Sequence, residues 1–136
     1  MSLPKPMRLP PSPFATQLLA IPGVERVQFK KGQVLLYAGH YPPGIFFIMS
    51  GSVAVQDPTQ AGEELELDAG DGAFVLPGLG ELDLKAGRTV RAASDVELLL
   101  APRSILQADP QLRGIFQNPQ LVQVSLQRPA PEGGER

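Results

Sequence analysis

The sequence contains no cysteine and a single histidine, His40. The absence of cysteine excludes disulfide scaffolds, thiolate zinc sites, iron–sulfur clusters and cysteine nucleophiles. One histidine is too few for the metal sites that need two or three imidazole ligands from one chain. The residue order also contains no motif that pairs a nucleophile with a base. We therefore expect a protein that is not an enzyme and that holds no metal ion.

Two further absences concern partners. The chain has 12 basic against 14 acidic residues, a net charge of −2, and so lacks the basic excess of nucleic-acid-binding proteins, whose affinity depends on neutralising phosphates. No apolar run is long enough to cross a bilayer, and the first residues are proline-rich rather than apolar. We expect no direct nucleic-acid binding, no membrane association and a cytoplasmic location.

The residues that are present suffice for one domain. The chain has 136 residues, of which 43% are hydrophobic, and this is the size of a single domain with one core. Prolines crowd residues 1–13 and predict an extended arm, because proline lacks the backbone N–H donor. Residues 128–136 are polar and broken by proline and glycine, which predicts a disordered tail. The folded domain is expected over residues 14–127.

Helical spacing of apolar residues is confined to the two ends of this domain. Phe14, Leu18 and Ile21 predict a first helix, with Ser12 as its N-cap. Helical spacing returns after the central region, where one face carries Ile105, Leu106, Leu112, Ile115 and Phe116. The last apolar stretch, residues 121–126, is too short for its periodicity to decide between a helix and a strand.

Between the helical ends, the chain reads as about eight short strands separated by glycine and other turn residues. The strands are predicted at residues 24–29, 34–37, 45–49, 52–56, 64–68, 73–76, 89–93 and 96–100. Their close, regular spacing favours an all-β barrel or roll over βαβ units. The predicted fold class is mainly β: a double-stranded β-helix, or jelly-roll β-roll, flanked by N- and C-terminal helices. Glycines at strand reversals are expected to adopt left-handed backbone angles: Gly32, Gly39, Gly51 and Gly70.

The order of several motifs resembles the cyclic-nucleotide-binding-like domain of the catabolite activator type. The motifs are an aromatic residue followed by a glycine turn (29–32), a Ser-Gly-x-Val-x-Val turn (50–55), a Gly-Asp pair (70–71) and a Pro-Arg pair (102–103). The resemblance covers roughly residues 14–117 and implies a regulatory or sensor module in which ligand binding shifts the final helices. The chain ends too soon for the winged helix-turn-helix of many members. We therefore expect a stand-alone domain or a fragment of a longer regulator.

In ligand-binding members of this family, a cassette between two late strands holds the cyclic phosphate. A Gly-Glu pair supplies backbone N–H groups and a carboxylate for the ribose hydroxyl, and a following arginine pairs with the phosphate. The matching residue types in this chain are Gly80, Glu81 and Leu82, followed by Arg88 and Thr89. The resemblance makes these the candidate ligand-binding residues and a cyclic nucleotide the implied ligand.

The spacing of the candidate residues departs from the family pattern. The Gly-Glu pair lies well after the Gly-Asp pair, and Glu81 is about one helical turn too close to Arg88. A gapless alignment places the two anchors near residues 74–75 and at Ala86, where neither residue type occurs. Two interpretations remain open. The cassette is either a remodelled site for a nucleotide or another small anion, or a degenerate cassette in a ligand-free domain that forms homodimers or docks to a protein.

Overall fold

The computed structural model describes residues 9–57 and 64–127. The strands in these ranges are β1 (Glu25–Phe29), β2 (Val34–Leu36), β3 (Gly44–Ser50), β4 (Ser52–Gln56), β5 (Glu64–Asp68), β6 (Phe74–Leu76), β7 (Thr89–Ala92), β8 (Val96–Pro102) and β9 (Val122–Gln123). The α-helices are α1 (Pro11–Leu19), α2 (Arg103–Ala108) and α3 (Pro110–Phe116). None of these helices is long and apolar enough to cross a bilayer. The predicted tail, residues 128–136, lies outside the described residues, as do residues 1–8 of the predicted arm.

The strands form two sheets that face each other. One sheet has five strands in the order β1-β8-β3-β6-β9, and the other has four in the order β2-β7-β4-β5. The chain passes from one sheet to the other at most of its connections, and β6 pairs with β9 in parallel, whereas the other paired strands are antiparallel. This arrangement confirms the predicted β-roll with flanking helices, and the eight predicted strands correspond to β1 through β8.

The central strands are buried on both faces. In β3, Phe46 and Ile48 belong to the roll core, the apolar cluster between the two sheets. Ile45 and Phe47 belong to the helix-side core, the cluster between the five-stranded sheet and the helices. Successive side chains of a strand point to opposite faces, so a strand between two cores is apolar at every position. This explains why residues 45–49 form a continuous apolar run instead of an alternating one.

Helix α1 begins earlier than the sequence predicts. Its first residue is Pro11 and no side chain caps it, so the assignment of Ser12 as the N-cap is wrong. Residues 11–13, which end the predicted arm, are therefore helical and not extended. Prolines are compatible with this position because the first N–H groups of a helix have no acceptor within the helix. Phe14 and Leu18 are buried in the helix-side core, as their spacing predicts.

Gly51 shows why some strand reversals require glycine. Its φ is +90°, and a Cβ there would lie 2.2 Å from a backbone carbonyl oxygen of the turn before β8. Gly32 and Gly39 also have positive φ, as predicted. The prediction for Gly70 is wrong, because this residue lies in a short 3₁₀ turn and the left-handed angle falls on Gly72, with a φ of 130°.

Gly114 offers a test of helix α3. It is exposed inside the helix, and no atom lies within 4 Å of the position that a Cβ would take. Glycine destabilises an exposed helix interior because it loses more backbone entropy on folding than alanine does. Gly114→Ala is therefore expected to raise the free energy of unfolding by about 0.5–1 kcal/mol. Denaturant unfolding measures the change, and a lower stability would contradict the helix at this position.

Candidate functional site

The candidate residues lie on the connection between β6 and β7 or directly after it. We call residues 78–89 the cassette. It begins with a 3₁₀ turn, Leu79–Glu81, and continues without further helix, as its glycine content predicts. Ala86 anchors its far end, since its N–H donates to His40 O (2.9 Å) and its carbonyl accepts from Gly39 N–H (2.7 Å). The cassette is thus fixed to the loop after β2.

The gapless alignment places both anchors in the interior of the protein. Phe74 and Val75 are part of β6, where they are 2% and 0% exposed and pack in the two cores. Ala86 is 3% exposed and packs in the roll core. These side chains pack in the protein interior. The assignment to Glu81 and Arg88, which requires a gap in the alignment, places both anchors on the connecting loop outside the cores.

The Glu81 carboxylate is held by two donors from residues 122–127, which we call the closing segment. Oε1 accepts a hydrogen bond from Leu126 N–H (2.9 Å), and Oε2 accepts one from the Ser125 hydroxyl. Hydrogen bonds to a charged carboxylate are stronger than those between neutral groups. The carboxylate is therefore oriented toward the closing segment, and it accepts from a hydroxyl as the resemblance implies for a ribose.

Further hydrogen bonds join the cassette to the closing segment. The pairs are Leu79 N–H to Gln123 Oε1 (2.8 Å), Gly87 N–H to Leu126 O (2.8 Å) and Gln127 Nε2 to Lys85 O (2.9 Å). These hydrogen bonds contact the cassette at Leu79, near its beginning, and at Lys85 and Gly87, in its second half. The closing segment is therefore bound along the length of the cassette.

The side chain of Leu126 fills part of the roll core. It is 0% exposed and belongs to the same apolar cluster as residues from both sheets. The segment approaches this position along β6, because β9 pairs with β6 and Val124 N–H donates to Val75 O (2.9 Å). The stretch whose type the sequence left open is therefore a short strand that continues in extended form into the roll.

Arg88 and Thr89 differ in their surroundings. Thr89 is the first residue of β7, and its Oγ1 accepts a hydrogen bond from Ala38 N–H (3.0 Å). Its hydroxyl therefore holds the chain after β2. Arg88 is a partly buried residue, and its guanidinium has no hydrogen bond or ion pair within residues 9–57 and 64–127.

Gly80 and Leu82 make no hydrogen bond to the closing segment within the described residues. Gly80 is exposed, and no atom lies within 4 Å of the position of an added Cβ, so packing does not require glycine there. Leu82 packs against the helix-side core, and its carbonyl accepts a hydrogen bond from the Arg103 guanidinium. Arg103 is the first residue of α2, so Leu82 links the cassette to that helix.

The other charges of the cassette have partners of their own. Asp83 forms an ion pair with Arg103 at 2.7 Å, and the Lys85 ammonium lies 5.8 Å from the centroid of the Tyr41 ring. A cation over an aromatic face is attracted by the electron density of the ring. In the part of the chain that the structure describes, Arg88 is therefore the cassette charge that is left without a partner.

Sequence reasoning did not identify Gly87, Ser125 and Leu126. The alternation of apolar residues in the closing segment does indicate that one of its faces is buried. It does not indicate the partner, because Leu126 and Glu81 are 45 residues apart along the chain. No local pattern connects a loop to a parallel edge strand over that separation.

Comparison with known proteins places these observations in a family. The family model for the cyclic nucleotide-binding domain matches residues 26–108. Among curated proteins, the uncharacterized protein Rv0502 of Mycobacterium tuberculosis is 35% identical over 91 residues, which are 67% of this chain and 25% of that protein. The chain therefore spans 25% of the length of the curated relatives it matches.

Solved structures show the same fold. The catabolite activator protein of Thermus thermophilus superposes with a TM-score of 0.59 at 18% identity, over 77% of this chain and 49% of that one. A cAMP-binding acyltransferase of Mycobacterium smegmatis superposes with a TM-score of 0.51 at 27% identity, over 76% of this chain and 30% of that one. Because the family model extends from β1 through α2, the chain belongs to the cyclic nucleotide-binding domain family.

Proposed function

We propose that this chain is a regulatory module that receives a small anionic ligand of the cyclic-nucleotide class at the cassette. The observation that carries the proposal is Arg88, a partly buried residue whose guanidinium has no partner within residues 9–57 and 64–127. A guanidinium binds two phosphate oxygens at once. Glu81, which already accepts from a hydroxyl, supplies the acceptor for a ribose.

One of the relatives supports the choice of ligand. The acyltransferase of Mycobacterium smegmatis is named as cAMP-binding, and it is 27% identical to this chain over 76% of its length. Cyclic AMP is therefore the first ligand to test, and cyclic GMP is the natural comparison because it differs only in the base.

The module has a route by which a bound ligand can act on the helices. Arg103 N–H donates to Pro43 O (3.1 Å), and its guanidinium binds both Leu82 O and the Asp83 carboxylate. One residue at the start of α2 is therefore attached to the cassette and to the loop before β3. A displacement of the cassette on ligand binding shifts α2, which is the output we propose.

Arg88→Ala tests the proposed function. Calorimetric titration of the protein with cyclic AMP and cyclic GMP is expected to give saturable heat, and Arg88→Ala is expected to weaken binding by about tenfold to a hundredfold, the range for losing a charged hydrogen bond. Arg26→Ala is the matched control, since Arg26 of β1 forms an ion pair with Glu97 of β8 and its side chain is 58% exposed. Equal affinity for Arg88→Ala and Arg26→Ala would contradict the proposal.

A second candidate function is a ligand-free domain for dimerisation or protein docking. The observation that favours it is the occupancy of the cassette, where Leu126 is 0% exposed and the Glu81 carboxylate is already engaged. This function predicts no heat with either nucleotide, both for the unmodified protein and for a variant from which the closing segment has been released. Leu126→Asn is such a variant.

A further inference from the structure

The cassette binds the closing segment as a protein binds a peptide ligand. Both backbone polar groups of Leu126 are engaged, its N–H by Glu81 and its carbonyl by Gly87 N–H. Its side chain is buried in the roll core. Recognition of the main chain together with a pocket for one side chain is the usual basis of binding to extended peptides.

The residues around Leu126 make the recognition specific to this sequence. Val122 and Gln123 add a parallel strand to β6, which is the strand-addition mode of peptide binding. The Ser125 hydroxyl donates to Glu81, and the Gln123 side chain both accepts from Leu79 N–H and donates to Phe116 O (2.8 Å). A segment without Gln123 would leave the partly buried Phe116 carbonyl without this donor, and one without Ser125 would remove a hydrogen bond from the Glu81 carboxylate.

The closing segment stands where a ligand that reached both anchors would lie. Leu126 bridges Glu81 and Gly87, and Gly87 is the neighbour of Arg88 in the chain. The backbone of Leu126 therefore lies between the Glu81 carboxylate and the residue that precedes Arg88, on the path that a ligand joining the two anchors would take. Both Glu81 oxygens are also already hydrogen-bonded to the segment.

We propose that the cassette is a peptide-binding site that holds the chain's own residues 122–127 as an internal ligand, and that a cyclic nucleotide binds only when this segment leaves. The assignment of a peptide-binding site depends only on the contacts described above. The competition between the segment and a nucleotide depends also on the proposed function. The internal ligand lowers the apparent affinity for a nucleotide by the fraction of molecules in which the cassette is open. Conversely, a bound nucleotide exposes the segment, including the apolar side chains of Val124 and Leu126.

Thiol labelling tests this proposal directly. The chain has no cysteine, so Leu126→Cys and Val122→Cys each carry one thiol. Val122 belongs to the same segment but is 36% exposed, which makes it the matched control. Without nucleotide, the thiol of Leu126→Cys is expected to react with a soluble disulfide reagent about 100-fold more slowly than that of Val122→Cys, because it reacts only after local opening. Saturating cyclic AMP or cyclic GMP is expected to accelerate the first reaction at least about tenfold. The second reaction is expected to change by less than about threefold, because Val122 is already 36% exposed before the segment leaves.

The outcomes separate this proposal from the proposed function. Equal reactivity of the two variants without nucleotide would overturn the peptide site. If calorimetry shows that a nucleotide binds but the thiol of Leu126→Cys does not react faster, the competition is overturned and the proposed function is not. Protection of the thiol, with no binding of either nucleotide to the unmodified protein or to the released variant Leu126→Asn, would support the peptide site and overturn both the competition and the proposed function. Circular dichroism confirms the fold of both variants, and hydrogen exchange at Leu126 N–H repeats the test in the unmodified protein.

Discussion

Replacing Gly44 by alanine is expected to lower the free energy of unfolding by about 3 kcal/mol or more. Gly44 begins β3 and lies opposite Pro102 of β8. A Cβ on Gly44 would lie 2.0 Å from Ala101 O and 2.9 Å from Pro102 Cα. Both neighbours are backbone atoms, so no change of side-chain rotamer relieves the clash. The first residues of β3 must therefore separate from β8, which is the strand that leads into α2.

Gly80→Ala is the matched control for this substitution. No atom lies within 4 Å of the added Cβ, and Gly80 does not have a positive φ. The free energy of unfolding of Gly80→Ala is therefore expected to change by less than about 0.5 kcal/mol. Denaturant titration of the two variants and of the unmodified protein measures the difference. If Gly44→Ala proves as stable as Gly80→Ala, the pairing of β3 with β8 at this position is wrong.

Leu126→Asn is expected to release the closing segment and leave the β-roll folded. The substitution removes a buried apolar side chain, which costs roughly 2 kcal/mol, and it places an unpaired amide in the roll core, which costs roughly 1–3 kcal/mol more. The rest of the roll core comes from strands of the two sheets and from the base of the cassette, mainly Leu36, Phe46, Ile48, Val53, Val55, Phe74, Val90 and Leu98. Detachment of one segment is therefore less costly than unfolding.

Release of the segment is expected to change ligand binding by a large factor. Opening the cassette in every molecule raises the apparent affinity for a cyclic nucleotide by about tenfold to a hundredfold. Val122→Asn carries the same polar group at a position that is 36% exposed, and it is expected to leave the affinity unchanged. A lower affinity in Leu126→Asn than in Val122→Asn would mean that Leu126 supports the ligand site and does not block it.

Most of the β-roll could be predicted because its signals are local. Alternation or short apolar runs along the strands, with glycine at the reversals, predicted β1 through β8 from neighbouring residues alone. The errors came where two local rules compete. At the start of α1, Pro11 was assigned to the extended arm although it is the first residue of the helix, so Ser12 was wrongly assigned as the cap. At Gly70, the glycine closer to the strand was chosen over Gly72, which has the left-handed angle.

The candidate site was less accessible to sequence reasoning. Residue order was enough to nominate Glu81 and Arg88 and to place them between two late strands. Their surroundings depend on a contact between a loop and a distant edge strand, so Ser125 and Leu126 carried no recognisable signal. The sequence also does not show that Asp83 pairs with Arg103 outside the cassette, which leaves Arg88 without a partner among the described residues.

Calorimetric titration of Leu126→Asn with cyclic AMP and cyclic GMP is the most direct test of the cassette as a ligand site. The substitution removes the internal ligand, so the titration measures nucleotide binding at the cassette itself. We expect saturable heat from at least one nucleotide and tighter binding than in the unmodified protein. An absence of heat with both nucleotides, in a variant whose circular dichroism shows an intact β-roll, would contradict the assignment of Glu81 and Arg88 to ligand binding.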